Sequence, residues 1–414
     1  MPNQMWRAVL APFARFGVLP WANAVVNALA LLAVYRLGCE FFGAKTSLGA
    51  LGLGLASPLA WAMGASYLSH PVALLFTTLA LLGPTVGLRA DRGRWLAASG
   101  LAVGALSLVR PWDAVAVAAT LVLMLMLTRQ RKGILLVVGC MLPFAVALLL
   151  YNRALTTSPW LFPQHLYNPR DALGWGSDVG KIATYGSLGH SPIKAVFNLG
   201  HNLRSLATNL FGWPFLSLLF IPFAYLTRRP RHRRGLALLS CFAVVHTLAY
   251  SLYWYDGVLY GARFYYALMP YFLLLTAAGI GAVHRWLRRL RAAWAVPTLV
   301  ATLFVFSALV YVPHYVRKLR ASYNLMDNEI YAAAREAEIA EGLVLCPPND
   351  RSYPSYGSVF WRNSPWLDTP LVWAKDLGPL NEKLYRTYRG RRMWVYREGR
   401  IYDALRDESP RRTR

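Results

Sequence analysis

The sequence predicts an α-helical polytopic membrane protein of about ten transmembrane helices with a small C-terminal α/β domain. Three observations predict it. Ten apolar stretches run along residues 20–312 of the 414-residue chain. Every second gap between them is a cluster of Lys and Arg. The composition is 56% hydrophobic with a mean hydropathy of +0.34, as in chains that are largely membrane-embedded.

Residues 1–19 contain Arg7, Pro12 and Arg15 and lack a clean apolar core, so no signal peptide is read there. They form either the remnant of an outer loop or an amphipathic helix lying flat at the interface. The predicted spans are Pro20–Leu37, Thr46–Met63, Pro71–Leu88, Trp95–Val109, Ala114–Leu127, Gly133–Tyr151, Leu206–Leu226, Gly235–Leu252, Tyr265–Val283 and Ala293–Val312. Several fall short of the roughly 20 residues a bilayer asks for, so flanking residues or local thinning complete them. Together they make a transmembrane domain over 20–313 with a long outer loop at 152–205.

Orientation follows from charge. The basic gaps are Arg36–Lys45, Arg89–Arg94, Arg129–Lys132, Arg228–Arg234 and His284–Arg291, and basic loops stay cytoplasmic. The gaps 66–70, 110–113, 152–205 and 251–265 then lie outside, with Met1 and the tail. An outside N-terminus without a signal sequence leads us to expect that a preceding helix is absent from this chain. The net charge of +25 sits largely in the cytoplasmic gaps beside anionic lipid, which argues against a nucleic-acid partner. The location read is the bacterial cytoplasmic (inner) membrane.

The tail, 314–414, reads as an extracytoplasmic α/β domain. Met326–Glu341 is a run of helix formers. Leu343–Cys346, Leu371–Trp373 and Met393–Tyr396 are short apolar runs of strand type, and Gly399 between Val395 and Ile401 marks a hairpin. Cys39, Cys140, Cys241 and Cys346 are scattered and form no CxxC pair, so neither a disulfide framework nor a zinc site is signalled.

Ionisable groups at outer span ends are the candidates for chemistry, because charge against a membrane is costly to keep. Trp254–Gly257 and Tyr260–Tyr266 set one carboxylate, Asp256, and one guanidinium, Arg263, among aromatics. Arg263 suits a phosphate, since guanidinium offers paired donors in a fixed fork. Gly261 would let a backbone approach a ligand, and Tyr255 and Tyr260 would stack on a sugar or a polyprenyl chain. The plain alternative is an interfacial aromatic belt with an internal Asp256–Arg263 ion pair. Ser66–Pro71 is a short outer turn in which His70 is either an acid/base or phosphate ligand, or part of a helix-capping turn. Arg110–Asp113 either holds a phosphate or an acceptor, or satisfies itself as a helix cap. The long outer loop supplies His165, Lys181 and His190 as further substrate contacts. The spacing of His165, His190 and His201 matches no zinc motif, although a divalent metal is left open. No GxxxxGKS, HExxH, GxSxG or EF-hand pattern is present.

The membrane part resembles bacterial GT-C glycosyltransferases. The likeness rests on Val18–Asn23, Leu31–Arg36, Phe41–Gly43, Leu55–Pro58, Gly100–Gly104, Leu108–Pro111 and Tyr260–Arg263, taken in order. In the tail, Asn363–Pro365 and Ala374–Gly378 are similar to one branch of such proteins. Characterised families of this kind include protein O-mannosyltransferases and the lipid A aminoarabinose transferase. The resemblance implies sugar transfer from a polyprenyl-phosphate donor to an acceptor at the outer face. The acceptor (protein, lipid or polysaccharide) is not readable. It also implies an acid in the first outer loop, but Met1–Gly17 holds no Asp or Glu. Candidates for that role elsewhere are Asp256, Asp113 and His70, with Arg263 and Arg110 for the donor phosphate. The competing readings are a non-enzymatic transporter or flippase of lipid-linked saccharides, and an assembly subunit.

Overall fold

Backbone polar groups inside an apolar stretch find partners only within their own helix, and the apolar stretches of this chain are mostly helices. The computed structural model describes residues 4–87, 92–167, 169–180, 189–227, 229–320, 327–348, 355–364 and 366–404. Of the described residues, 69% are helical. The chain divides into two compact units, Met1–Tyr311 and Val312–Arg414.

The first unit opens with α1 (Gln4–Arg15), an amphipathic helix. Its Trp6 is buried against Val26, Val72 and Val109, and the indole donates to the Tyr67 carbonyl at 2.8 Å. α2 (Ala22–Phe41) follows. The single predicted span Thr46–Met63 is instead two helices, α3 (Ala44–Leu55) and α4 (Pro58–Gly64), bent by 63°. Pro58 causes the break: the residue before a proline is pushed out of helical geometry, and Ser57 is extended, its hydroxyl capping α4 at Ala60 N.

α5 (His70–Gly87), α6 (Arg92–Val109), α7 (Pro111–Leu127) and α8 (Arg131–Thr156) continue the bundle. Small residues let the backbones close in. A Cβ at Gly100 would meet Val137 and Cys140, and one at Gly104 would meet Phe144, so both glycines seat α6 on α8. α8 turns Leu135, Leu142 and Leu150 outward, an apolar surface suited to lipid.

Among the described residues, α9 (Pro163–Tyr167) and α10 (Pro192–Asn209) follow. The predicted helical span Leu206–Leu226 is a correction. α10 ends at Asn209, and the chain continues as turns and a 3-10 segment at Pro222–Leu226. Gly212 and Phe215 have φ of +70° and +56°, and Pro214 and Pro222 interrupt an α ladder. Successive i→i+3 bonds, Leu219 N to Leu216 O and Phe223 N to Phe220 O among them, satisfy the backbone instead.

α11 (Pro230–Ser251), a 3-10 turn at Arg263–Leu268 leading into α12 (Met269–Arg289), and α13 (Ala295–Phe306) with a π turn at Ser307–Tyr311 complete the unit. Among the described residues five helical segments are long and apolar enough to cross a membrane, or six if the bent pair is one span. Three shorter apolar helices, His70–Val86, Gly93–Val109 and Pro111–Leu127, match predicted spans. Two basic gaps meet at one end of the bundle. There Arg36 pairs with Glu40, and Arg231 donates to the Cys39 and Glu40 carbonyls. The segments around His70, Arg110 and Tyr250 meet one another at helix ends of the same unit.

The second unit begins with α14 (Val312–Arg320). Its sheet has strands β1 (Gly342–Cys346), β2 (Leu371–Lys375), β3 (Met393–Arg397) and β4 (Arg400–Asp403), in the order β2-β1-β3-β4. β1 runs parallel to β2 and β3, and β3–β4 is the expected hairpin. The continuous apolar run of β1 reflects burial on both faces. Val344 and Cys346 pack with Ile330 and Ala334 of α15 (Glu329–Glu336), while Leu343 and Leu345 pack on the side of Leu384 in α16 (Asn381–Thr387). The helix expected over Met326–Glu341 is thus shorter, and Arg411–Arg414 lies outside the described residues.

Candidate functional site

Three helix ends and one loop converge on the Phe264 ring. α5 starts with His70, α7 starts just after Arg110, α11 carries Tyr250 in its last turn, and the 252–262 loop delivers Arg263. Gly257, at φ +73°, makes room for Phe264, because a Cβ there would collide with the ring.

The interior of this site is a buried ion pair. Arg110 Nε donates to Asp113 Oδ2, three residues along the same helix start. Tyr250 bridges the pair: its hydroxyl donates to Asp113 Oδ1 at 2.6 Å and accepts from Arg110 Nη2 at 2.9 Å. His246 Nε2 lies 3.4 Å from Asp113 Oδ1, and its ring stacks on Tyr250 with centroids 4.6 Å apart. His70, also buried, faces Arg110 Nη1 at 3.4 Å. Asp113 is 1% exposed, so the self-satisfied reading of Arg110–Asp113 describes its geometry. Its oxygens are shared among three partners and it reaches no open space.

Arg263 is placed differently. Its guanidinium carbon sits 5.2 Å from the Phe264 centroid and 5.7 Å from that of Tyr255. It is half-buried, its Nε has no hydrogen-bond partner, and among the described residues no carboxylate pairs with it. The expected alternative of an Asp256–Arg263 pair is not formed. Asp256 Oδ2 faces His201 Nδ1 at 3.5 Å, and Asp256 Oδ1 accepts from Val258 N at 3.2 Å. Gly261 does not open toward a ligand either. At φ +104° it packs on Leu59 and Asn209, so its role is a close backbone approach inside the protein.

Beside these residues a cavity of about 340 Å³ opens between α10 and α11. Leu199, Asn202, Leu248, Tyr255, Asp256 and Phe264 are among its walls, which are mainly apolar. Val196 and Leu248 on its rim are exposed on the flank of the unit.

The long loop is clasped onto this end. Asp171 accepts from Tyr253 Oη at 2.9 Å and from Trp254 Nε1 at 2.8 Å. Burial, and then the Asp171 charge, push the Tyr253 phenol well above its ordinary pKa, so it stays a donor. His190 is buried, with Nε2 3.0 Å from the Ser251 carbonyl, and its backbone pairs with Gly176. That placement makes His190 part of the clasp. His165 sits on α9 beside the Phe162 ring, and Tyr260 is in the tight Val258–Ala262 turn with φ +58°. Lys181 lies outside the described residues. Among the described residues no three His, Cys, Asp or Glu side chains converge as a metal site.

His246 and Tyr250 were not singled out in the sequence. Their signal was a His and a Tyr at i and i+4 within an apolar span, where polar groups seldom stand idle.

No family model matches the sequence, and no curated protein matches it. Solved structures do. ArnT from Cupriavidus metallidurans in the apo state is similar at TM-score 0.56 and 13% identity, over 94% of this chain and 81% of that one. The same protein bound to undecaprenyl phosphate is similar at TM-score 0.57 and 13% identity, over 97% and 86%. The chain has a GT-C fold. The likeness extends over nearly the whole chain, so the fold takes in more than the apolar helices.

Proposed function

We propose that the protein is a membrane glycosyltransferase that moves a sugar from a polyprenyl-phosphate-linked donor to an acceptor hydroxyl. The observation that carries this reading is Arg263, a cation with no carboxylate partner among the described residues, beside an apolar cavity in a GT-C fold. A lipid phosphate asks for this combination. Its phosphate takes the guanidinium fork, its chain lies along the apolar walls, and its sugar meets Tyr255 and Asp256 at the rim. Neutralising the phosphate also makes it a better leaving group. Arg110 acts behind Arg263: with Asp113 and Tyr250 it holds the Phe264 ring against which Arg263 rests. Asp113 is enclosed, whereas Asp256 lines the cavity, where an acceptor can reach it. The ArnT structure with undecaprenyl phosphate supports a donor of that class.

On this reading the basic gaps face the cytoplasm of a bacterial inner membrane, and the site and the second unit face outward. Binding of undecaprenyl phosphate to the purified protein in nanodiscs tests the proposal. Arg263→Ala should weaken binding about 10- to 100-fold, the worth of a charge-assisted hydrogen bond, and Arg263→Lys should restore part of it. Equal binding by wild type and Arg263→Ala would remove Arg263 from the donor site.

A further inference from the structure

We infer that His201 is the general base of sugar transfer and that Asp256 positions it. This inference rests on the glycosyltransferase reading above. The groups come from two elements. α10 presents Asn198, His201 and Asn202 on one face, as i, i+3 and i+4 spacing requires. That face meets the 254–256 segment. Asn198 Nδ2 donates to the Trp254 carbonyl at 3.0 Å, and Asn202 Nδ2 donates to the Asp256 carbonyl at 2.7 Å. Two amides thus hold the backbone that carries Asp256, and Val258 N holds its Oδ1. Oδ2 is turned to His201 Nδ1.

An exposed His–Asp contact by itself contributes little to stability. Here the Asp256 end of the contact lines a cavity together with Asn198, Leu199 and Asn202, and His201 is carried on the same helix face as those asparagines. The His201 side chain is 67% exposed and that of Asp256 is 26% exposed. With Nδ1 turned to the carboxylate, Nε2 remains for an acceptor arriving from water. A carboxylate behind an imidazole fixes its tautomer and stabilises the cation formed when it takes a proton.

The step is an in-line displacement. The acceptor oxygen forms a bond to the anomeric carbon while the bond from that carbon to the phosphate oxygen breaks. The electron pair leaves with the lipid phosphate, held by Arg263. The hydroxyl proton passes to His201 Nε2 and then to water.

The test uses the full chain in nanodiscs, with undecaprenyl-phosphate mannose and undecaprenyl-phosphate glucose as donors and washed bacterial membranes as acceptor. Release of undecaprenyl phosphate gives turnover, and binding of undecaprenyl phosphate is measured alongside. His201→Gln and His201→Ala should each lower turnover about 100-fold or more, the usual worth of a general base, with binding within about twofold of wild type. Free imidazole should restore part of the turnover of His201→Ala, which loss of a structural residue would not allow. Asp256→Asn should lower turnover about 10-fold or more, also without loss of binding. Turnover by both His201 variants within about threefold of wild type would overturn the dyad and leave the glycosyltransferase reading standing. So would parallel loss of binding and turnover without imidazole rescue. A wild-type protein that releases nothing from either donor would overturn both.

Discussion

Arg110 and Arg263 carry the same charge against the same phenylalanine ring, yet among the described residues only Arg110 has a carboxylate partner. Arg110 is committed to Asp113 and Tyr250. Removing a partner from a buried pair leaves the other charge uncompensated, which costs about 3–5 kcal/mol. Asp113→Asn should therefore lower the thermal unfolding midpoint far more than any change at half-buried Asp256. Tyr250→Phe takes away one hydroxyl that satisfies both members of the pair, at a cost of about 1–3 kcal/mol. A melt in detergent, followed by intrinsic fluorescence, checks both; an Asp113→Asn protein as stable as wild type would show the pair to be dispensable. Arg263 should behave oppositely, with Arg263→Ala leaving the melt within about 1 kcal/mol while donor binding falls. The sequence marked Arg110, Asp113, Asp256 and Arg263 as residues of interest because each is an ion at a helix end. It left their pairing open, because Asp113 and Tyr250 are joined across more than a hundred residues.

At the level of elements, proline and glycine decided where the apolar pattern misled. Thr46–Met63 and Leu206–Leu226 both read as uniform spans, and hydropathy counts side chains rather than backbone hydrogen bonds. Pro58 splits the first into two helices, and Ser57 ties the break to the second by donating to the Leu210 carbonyl. The second packs as turns against α12, where Gly279 has no room for a side chain because a Cβ would collide with the Phe220 carbonyl. Gly279→Ala should accordingly destabilise the unit by about 1–3 kcal/mol, as overpacking does, whereas Gly139→Ala, with nothing nearby, should be silent. The same thermal melts separate these outcomes. Strand elements were easier to read. β1 is apolar at every position because α15 and α16 cover its two faces.

For the whole molecule the open question is which end faces which compartment. In a chain with Cys39, Cys140, Cys241 and Cys346 replaced by Ser, a cysteine at exposed Trp160 should react with a membrane-impermeant maleimide in intact cells. One at Arg289 should react only after the membrane is opened. The reverse pattern would invert the orientation and move the site to the cytoplasmic side. By itself the sequence determined that the chain is a helical membrane protein, where its helices broadly lie, that a small sheet follows, and which helix ends hold ions. Those properties are written in local periodicity and in the price of charge next to lipid. Only the tertiary structure decided that Arg110 is neutralised by Asp113 while Arg263 has no carboxylate partner among the described residues, that Asp256 turns to His201, and that α10 and α11 leave a cavity between them. Such facts depend on which distant segments meet, and no local pattern along the chain encodes the partner of a buried charge.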